Sequence, residues 1–191
     1  FGALLETAGG GKYFLDLAFA MVGKMKGGPA KAAILGSGMT GMISGSSIAN
    51  TVTTGTFTIP IMKKTGFSKE KAGAIEVSSS VNGQIMPPVM GAAALVMADI
   101  TEIPYINIII AALIPALLYY TSLFASVVFE SRRLGIEAVA DLSDTDEDLT
   151  VQRQDYYNLI LIVVPITTVV FALLWGFSPA GAGNIALTVL I

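Results

Sequence analysis

Oxygen-bearing side chains crowd the middle of two stretches that carry no charge. Between Lys31 and Lys63 no residue is charged, and the middle reads SGSSIANTVTTGT. Between Glu76 and Asp99 no residue is charged either, and this stretch contains NGQIMPP. Hydroxyl, amide and carbonyl oxygens are ligands that hard cations prefer over nitrogen or sulfur. The predicted cation ligands are Ser44, Gly45, Ser46, Asn50, Thr54, Asn82 and Gly83.

No carboxylate is expected among these oxygens. Glu76 begins the second uncharged stretch, and we expect its side chain at the membrane interface. A site built only of neutral oxygens suits Na⁺ better than a proton relay, so Na⁺ is the predicted ion and no organic cofactor is expected.

The composition excludes several other classes of function. The 191 residues contain no His and no Cys, which removes the usual general base, the imidazole and thiolate metal ligands and the cysteine nucleophile. Net charge is -3 and the basic residues are scattered, so nucleic-acid binding is not expected. Only 13% of residues are charged and 53% are hydrophobic, whereas soluble domains carry about 25% charged residues. These features predict a membrane protein without enzymatic activity.

The uncharged runs predict how the chain crosses the membrane. A bilayer core of about 30 Å needs roughly 20 apolar residues of helix. Residues 104–130 and 156–175 each fit one span, and residues 184–191 begin another after the GFSPAGAG break. Residues 131–155 form a predicted cytoplasmic loop. The chain begins and ends inside apolar segments, and we expect it to be a fragment of a longer multi-pass protein.

The first uncharged run does not fit a single span. Its residues would make a helix of about 46 Å, and the Gly, Ser and Asn residues at its centre disfavour continuous helix. Two half-length helices at 29–43 and 47–62, within a hairpin at about 29–62, fit better. Lysines flank both ends, and cytoplasmic segments are rich in Lys and Arg, so the hairpin is predicted to enter and leave on one side. Such irregular backbone at membrane depth must be covered by protein or water.

The second uncharged run predicts a discontinuous helix over residues 70–98. Pro lacks the backbone donor that a helix needs, and residues before Pro avoid the helical region. We therefore predict half-helices at 70–81 and 88–98 with residues 82–87 unwound, and Pro88 in the first turn of the second half. Helix N-termini favour anions, so the starts at Ser47 and Pro88 predict an anionic substrate. The predicted substrate contacts are Ser47, Asn50, Asn82, Gln84 and Pro88.

These motifs resemble a known transporter family. The segments GSGMTGMISGSSIANTVTTG, IPIMKKTGFSKEKAGA and NGQIMPPVMG look like the large membrane subunit of tripartite ATP-independent periplasmic (TRAP) transporters, the DctM-like family. The resemblance covers residues 1–130, the predicted first repeat, and leaves 156–191 as the truncated start of the second. It departs at Val89, where many members have Ser after the proline pair.

The resemblance implies more than the residues alone indicate. It implies an all-α inverted-repeat elevator fold, Na⁺ symport of small organic acids such as dicarboxylates, and a bacterial or archaeal cytoplasmic (inner) membrane. It also implies a periplasmic binding protein of the TAXI type and a small membrane subunit fused in the parent chain. Two alternatives stay open at this point: a stand-alone Na⁺-coupled divalent-anion symporter, and another inverted-repeat ion transporter.

Overall fold

The computed structural model describes residues 10–136 and 153–190, and within these ranges the chain is helical without strands. The predicted loop at 131–155 therefore lies mostly outside the described residues. Eight α-helices and one 3₁₀ turn follow in chain order within the described ranges. They are α1 (Gly10–Val22), α2 (Gly28–Ser44), α3 (Ser47–Lys64), α4 (Lys69–Asn82), the turn Gly83–Ile85, α5 (Ala92–Thr101), α6 (Tyr105–Arg133), α7 (Arg153–Leu174) and α8 (Pro179–Leu190).

Helices α2 and α3 pack against each other as a helical hairpin. Their bounds agree with the predicted halves to within two residues. Gly45 ends α2 in the left-handed conformation, with φ of 60°, which glycine adopts without the Cβ penalty of other residues. Ser46 then caps α3 by accepting a hydrogen bond from the Ala49 N–H. A two-residue tip therefore reverses the chain.

The predicted helix break is present, but its second half begins later than expected. Helix α5 begins at Ala92, so the prediction that Pro88 opens a half-helix is wrong. The proline pair removes two backbone donors, and Met90 takes a left-handed conformation with φ of 56°, which stops a helix from forming before Gly91. The Gly91 N–H instead donates to the Gln84 carbonyl at 2.6 Å and closes a compact loop.

Both ends of the hairpin lie at one end of the bundle. Ala30 and Met62 share a buried hydrophobic cluster with Phe67 and with Val127 near the end of α6. At the same end, Lys71 of α4 forms an ion pair and hydrogen bond with Glu130 of α6. The hairpin tip therefore points away from this end and toward the middle of the broken helix.

Among the described residues, α6 is the one helix with the length and apolar composition to cross a membrane. Helices α7 and α8 pack on α5 and the start of α6 through a second buried cluster. Helix α8 begins at Pro179, five residues before the predicted start at Asn184. Pro is favourable in a first turn, and the Ser178 hydroxyl accepts a hydrogen bond from the Gly181 N–H, so the helix begins there.

Candidate functional site

The hairpin tip contacts the helix break directly, and we call residues 41–50 and 82–91 together the junction. The Val89 N–H donates to the Met42 carbonyl at 3.3 Å. The Gln84 side-chain amide donates to the Ser47 hydroxyl at 2.7 Å. A Cβ atom on Gly45 would lie 2.3 Å from the Met90 carbonyl oxygen, so only glycine fits at the tip. The junction therefore joins the two irregular segments through both backbone and side chains.

Four helix ends meet at the junction. Helices α2 and α4 end there, and their terminal carbonyls carry partial negative charge. Helices α3 and α5 begin there, and their first N–H groups carry partial positive charge. The junction thus presents backbone oxygens suited to a cation and backbone donors suited to an anion within one small region.

The closest approach at the junction is between two glycines. A Cβ atom on Gly41 of α2 would lie 2.5 Å from the Gly83 Cα atom, and one on Gly83 would lie 2.7 Å from the Gly41 Cα atom. The amide nitrogen of Asn50 borders the same contact, at 3.2 Å from a Cβ on Gly41. Two backbones therefore touch beside the Asn50 side chain.

Asn50 is fully buried, and its two polar atoms have different surroundings. The side-chain nitrogen donates to the Ser37 carbonyl at 2.8 Å, which fixes the orientation of the amide. The oxygen, Oδ1, has no hydrogen-bond partner among the described residues. A buried acceptor without a partner costs free energy, on the order of 1–3 kcal/mol, unless an ion or water fills the place. Asn50 therefore offers an oriented, unused oxygen ligand.

A carboxyl group lies two helical turns below the tip, where none was expected. Glu76 of α4 has no solvent exposure and lies among side chains of the hairpin, so the expectation that no carboxylate joins these oxygens is wrong. Its carboxyl oxygens accept hydrogen bonds from Ser37 at 2.8 Å, Thr58 at 2.5 Å and Ser80 at 3.2 Å, and from Thr54. We call Glu76 with these four hydroxyls the carboxyl cage. The prediction of neutral oxygens alone does not hold for Thr54, which belongs to this cage.

The structure distributes the other predicted site residues unevenly. The Ser44 hydroxyl and the Ser46 hydroxyl make only local bonds at the tip. The Asn82 amide donates to the Ala116 carbonyl of α6 at 3.4 Å and is separated in this way from the hairpin. Pro88 lines a groove of about 680 Å³ between α5, the start of α6, and α7 with α8. Residues brought together at the junction are Gly45, Ser47, Asn50, Gly83 and Gln84.

Five residues of the site were not predicted from the sequence, and all belong to the cage or to the contact between Gly41 and Gly83. They are Ser37, Gly41, Thr58, Glu76 and Ser80. One signal was available, because Thr54 with Thr58 and Glu76 with Ser80 are each spaced four residues apart and share one helix face. Nothing in the sequence indicated that these two faces meet each other.

Comparison with known proteins agrees with the resemblance. The family described as "Tripartite ATP-independent periplasmic transporter, DctM component" matches residues 1–191. The protein named C4-dicarboxylate TRAP transporter large permease protein DctM is 28% identical in Pseudomonas aeruginosa, over 97% of this chain and 42% of that protein. Its namesake in Vibrio cholerae is 26% identical, over 95% of this chain and 39% of that protein. In Rhodobacter capsulatus the protein of that name is 32% identical, over 46% of this chain and 20% of that protein.

These matches cover only part of the length of each relative. The chain spans about two fifths of the length of the first two of these relatives. The family is one of membrane-integral transporter components rather than enzymes. By the match over its whole length, the chain belongs to the DctM family of TRAP transporter components.

Proposed function

We propose that this chain is the first-repeat part of the permease subunit of a Na⁺-coupled TRAP transporter that imports small organic acids. The junction is the proposed place where ion and substrate bind. The observation that carries the proposal is the buried Asn50 Oδ1 atom, an acceptor without a partner on an amide whose nitrogen borders the Gly41–Gly83 contact. Relatives named as C4-dicarboxylate permeases support dicarboxylates as the substrate class.

The chemistry around Asn50 supports a monovalent cation. Helices α2 and α4 direct their carbonyl ends at the junction, and helix C-termini favour positive charge. In discontinuous transporter helices, such carbonyls and half-helix ends coordinate Na⁺. Asn50 Oδ1 is a side-chain oxygen on the hairpin side, and the Gly83 backbone packs against Gly41 beside the same amide, with its carbonyl accepting a hydrogen bond from the Met86 N–H. If neutral oxygens of both the hairpin tip and the helix break bind the ion, ion binding depends on the contact between these two segments.

The starts of α3 and α5 support an anionic substrate next to the ion. Ser47 opens α3, and Gly91 precedes α5 in an extended conformation. Gly91 approaches Gly45 closely, so the two helix starts lie beside each other. Free N–H groups and the positive ends of the dipoles attract carboxylates, and the Gln84 amide adds a donor. No Lys or Arg lies within the junction, so we propose that dipoles and amides recognise the carboxylates.

The distribution of charge supports the predicted orientation in the membrane. The basic residues of α2, α3, α4 and α6 gather at the end of the bundle that holds both ends of the hairpin, while Asp99 and Glu102 lie at the end of α5 that is remote from the junction. By the positive-inside rule, the basic end is cytoplasmic. We propose on this ground that the hairpin is re-entrant from the cytoplasm and that α4 with α5 crosses the membrane as a discontinuous helix.

The proposal for the partners rests on the family and the motif resemblance rather than on contacts of the described residues. We propose a periplasmic substrate-binding protein of the TAXI type and a small membrane subunit fused to the parent chain. We also propose that the parent protein lies in the cytoplasmic membrane and that a second repeat completes the binding site. A stand-alone symporter would transport without a binding protein, so an uptake experiment distinguishes it from a TRAP permease.

Uptake by the full-length permease tests the proposal. The protein is reconstituted in proteoliposomes with its binding protein outside, and uptake of radiolabelled dicarboxylates is measured in Na⁺ and in choline. We expect uptake to require both Na⁺ and the binding protein. Asn50→Ala should raise the Na⁺ concentration for half-maximal uptake at least tenfold, because it removes an oriented ligand.

The matched control is Asn107→Ala, which deletes an exposed amide on α6. It should leave the Na⁺ dependence unchanged. An equal rate of uptake in choline and in Na⁺ would refute Na⁺ as the coupling ion. Uptake without the binding protein would favour the stand-alone symporter.

A further inference from the structure

The carboxyl cage adjoins the junction, since the Asn50 amide donates to the Ser37 carbonyl and Thr54 donates to the Asn50 carbonyl, but the cage has its own chemistry. Glu76 on α4 receives hydroxyl groups from both arms of the hairpin, Ser37 on α2 and Thr54 and Thr58 on α3. Its own helix supplies Ser80. Cβ on Gly55 would lie 3.1 Å from the Glu76 Cγ atom, so the backbone of α3 closes tightly over the carboxyl side chain. One acidic group thus holds three helices together.

No positive charge balances this acidic group among the described side chains. The described ion pairs involve Lys71, Glu130 and Arg133, not Glu76. An ionised carboxylate that is buried without a partner is costly, and within a membrane it costs still more. Hydroxyl groups donate hydrogen bonds but carry no net charge. A small cation bound in the cage would remove this cost.

The ionisable groups on the packed helices are otherwise engaged. Lys31 on α2 lies with its ammonium group 5.9 Å from the centre of the Phe124 ring. Tyr119 and Tyr120 on α6 donate to the Ser78 and Ser79 carbonyls. Tyr105 at the start of α6 donates to the Val89 carbonyl. The others lie near the basic end of the bundle, as exposed side chains or in the Lys71 ion pair: Lys63, Lys64, Lys69, Glu70, Lys71, Glu130, Arg132 and Arg133.

The cage also contains fewer hydrogens than its contacts require. The four hydroxyls take part in seven oxygen–oxygen contacts: four to the Glu76 carboxyl, one between Ser37 and Thr54, and two to backbone carbonyls. Each hydroxyl has a single proton to donate. Four protons serve seven contacts, so three oxygen–oxygen contacts have no proton between the two atoms. An ionised carboxylate has no proton to add. An additional positive charge among these oxygens would relieve the repulsion.

We propose that the carboxyl cage is a second cation site that binds one small monovalent cation, a proton or Na⁺, at the Glu76 carboxyl. Because the ligands come from α2, α3 and α4, the cation stays bound only while the hairpin packs on α4. Separation of the hairpin would break the cage and release the ion. This link to transport rests on the proposed transport function, whereas occupancy of the cage does not.

Infrared difference spectroscopy on the purified full-length protein tests the site directly. Spectra are recorded from acid to alkaline pH without Na⁺, and then at fixed pH with Na⁺ replacing choline. Glu76→Gln removes the carboxyl but keeps a polar side chain of the same size, and Glu70→Gln is the matched control at an exposed position of the same helix. We expect a carboxyl signal that Glu76→Gln abolishes and Glu70→Gln retains.

The signal also identifies the cation. A protonated carboxyl band that Na⁺ does not change assigns a proton, and an ionised carboxylate band that shifts with Na⁺ but not with choline assigns Na⁺. An ionised band that responds to neither pH nor Na⁺ overturns the proposal. If Glu76→Gln does not fold, Thr58→Val must shift the same band, since it removes the hydroxyl at 2.5 Å and keeps the carboxyl. These spectra need no transport, so they remain decisive even if the proposed function fails.

Discussion

Replacing Gly41 by alanine should separate the hairpin from the helix break. The added Cβ atom would lie 2.5 Å from the Gly83 Cα atom and 3.2 Å from the Asn50 side-chain nitrogen. Carbon atoms in ordinary contact lie about 3.5–4.0 Å apart. The two backbones must therefore move apart by about 1 Å, and the Asn50 amide must shift with them.

Two opposing contributions decide whether Gly41→Ala stabilises or destabilises the protein: the helix propensity of alanine and the cost of overpacking. Alanine in a helix interior is favoured over glycine by about 0.5–1 kcal/mol. Overpacking costs about 1–3 kcal/mol, and here the obstacle is backbone, which cannot rotate away. We expect Gly41→Ala to destabilise the packed junction by about 1–2 kcal/mol. A misplacement of about 1 Å in a functional site lowers rates on the order of 100-fold.

Gly73→Ala provides the matched control, because a Cβ atom there meets no atom within 4 Å. Both variants are measured in proteoliposomes for dicarboxylate uptake against Na⁺ concentration, with thermal unfolding to check folding. We expect Gly41→Ala to lose uptake by about 100-fold, while Gly73→Ala keeps it with equal or higher stability. Equal uptake by the two variants would show that the Gly41–Gly83 contact does not position the site.

Three further predictions follow from other contacts. In this Cys-free chain, single cysteines at Lys31 and Lys64 should both be labelled from the cytoplasm and one at Glu102 from outside; labelling of the first two from opposite sides would rule out a re-entrant hairpin. Gln84→Ala removes the 2.7 Å bond to Ser47 and should raise the half-saturating substrate concentration about two- to tenfold, as expected for one neutral hydrogen bond; an unchanged value contradicts a role at the substrate. Gly27→Ala should lower the unfolding temperature, since the Cβ atom would lie 2.0 Å from the Ser131 hydroxyl and φ is 64°, whereas an unchanged temperature would contradict this close contact.

The sequence predicted the course of the chain better than its packing. Hairpin bounds follow from glycine and polar residues inside an apolar run, and the break follows from the proline pair. Both are local signals, which is why the bounds of α2, α3 and α4 lie within two residues of the prediction. Pro88 failed as a helix start because the left-handed Met90 that follows it was not foreseeable from residue type.

The position of Glu76 could not be predicted for a different reason. It lies five residues after Lys71, and charge patterns alone place it near the water interface. Its burial depends on Ser37, Thr54 and Thr58, which are 39, 22 and 18 positions away in the chain. Periodicity identifies the polar face of each helix but not the face that opposes it. Asn82 shows the same limit, since its amide lies against α6 rather than the hairpin.

Equilibrium binding of Na⁺ to the purified full-length permease tests the central claim most directly. Calorimetric titrations with Na⁺ in a choline background compare the wild type, Asn50→Ala and the exposed-site control Asn107→Ala. If Asn50 Oδ1 is a ligand, the wild type and the control bind Na⁺ saturably with equal affinity, and Asn50→Ala binds at least tenfold more weakly. Equal affinity in all three proteins, or no saturable binding in the wild type, would contradict a Na⁺ site at the junction.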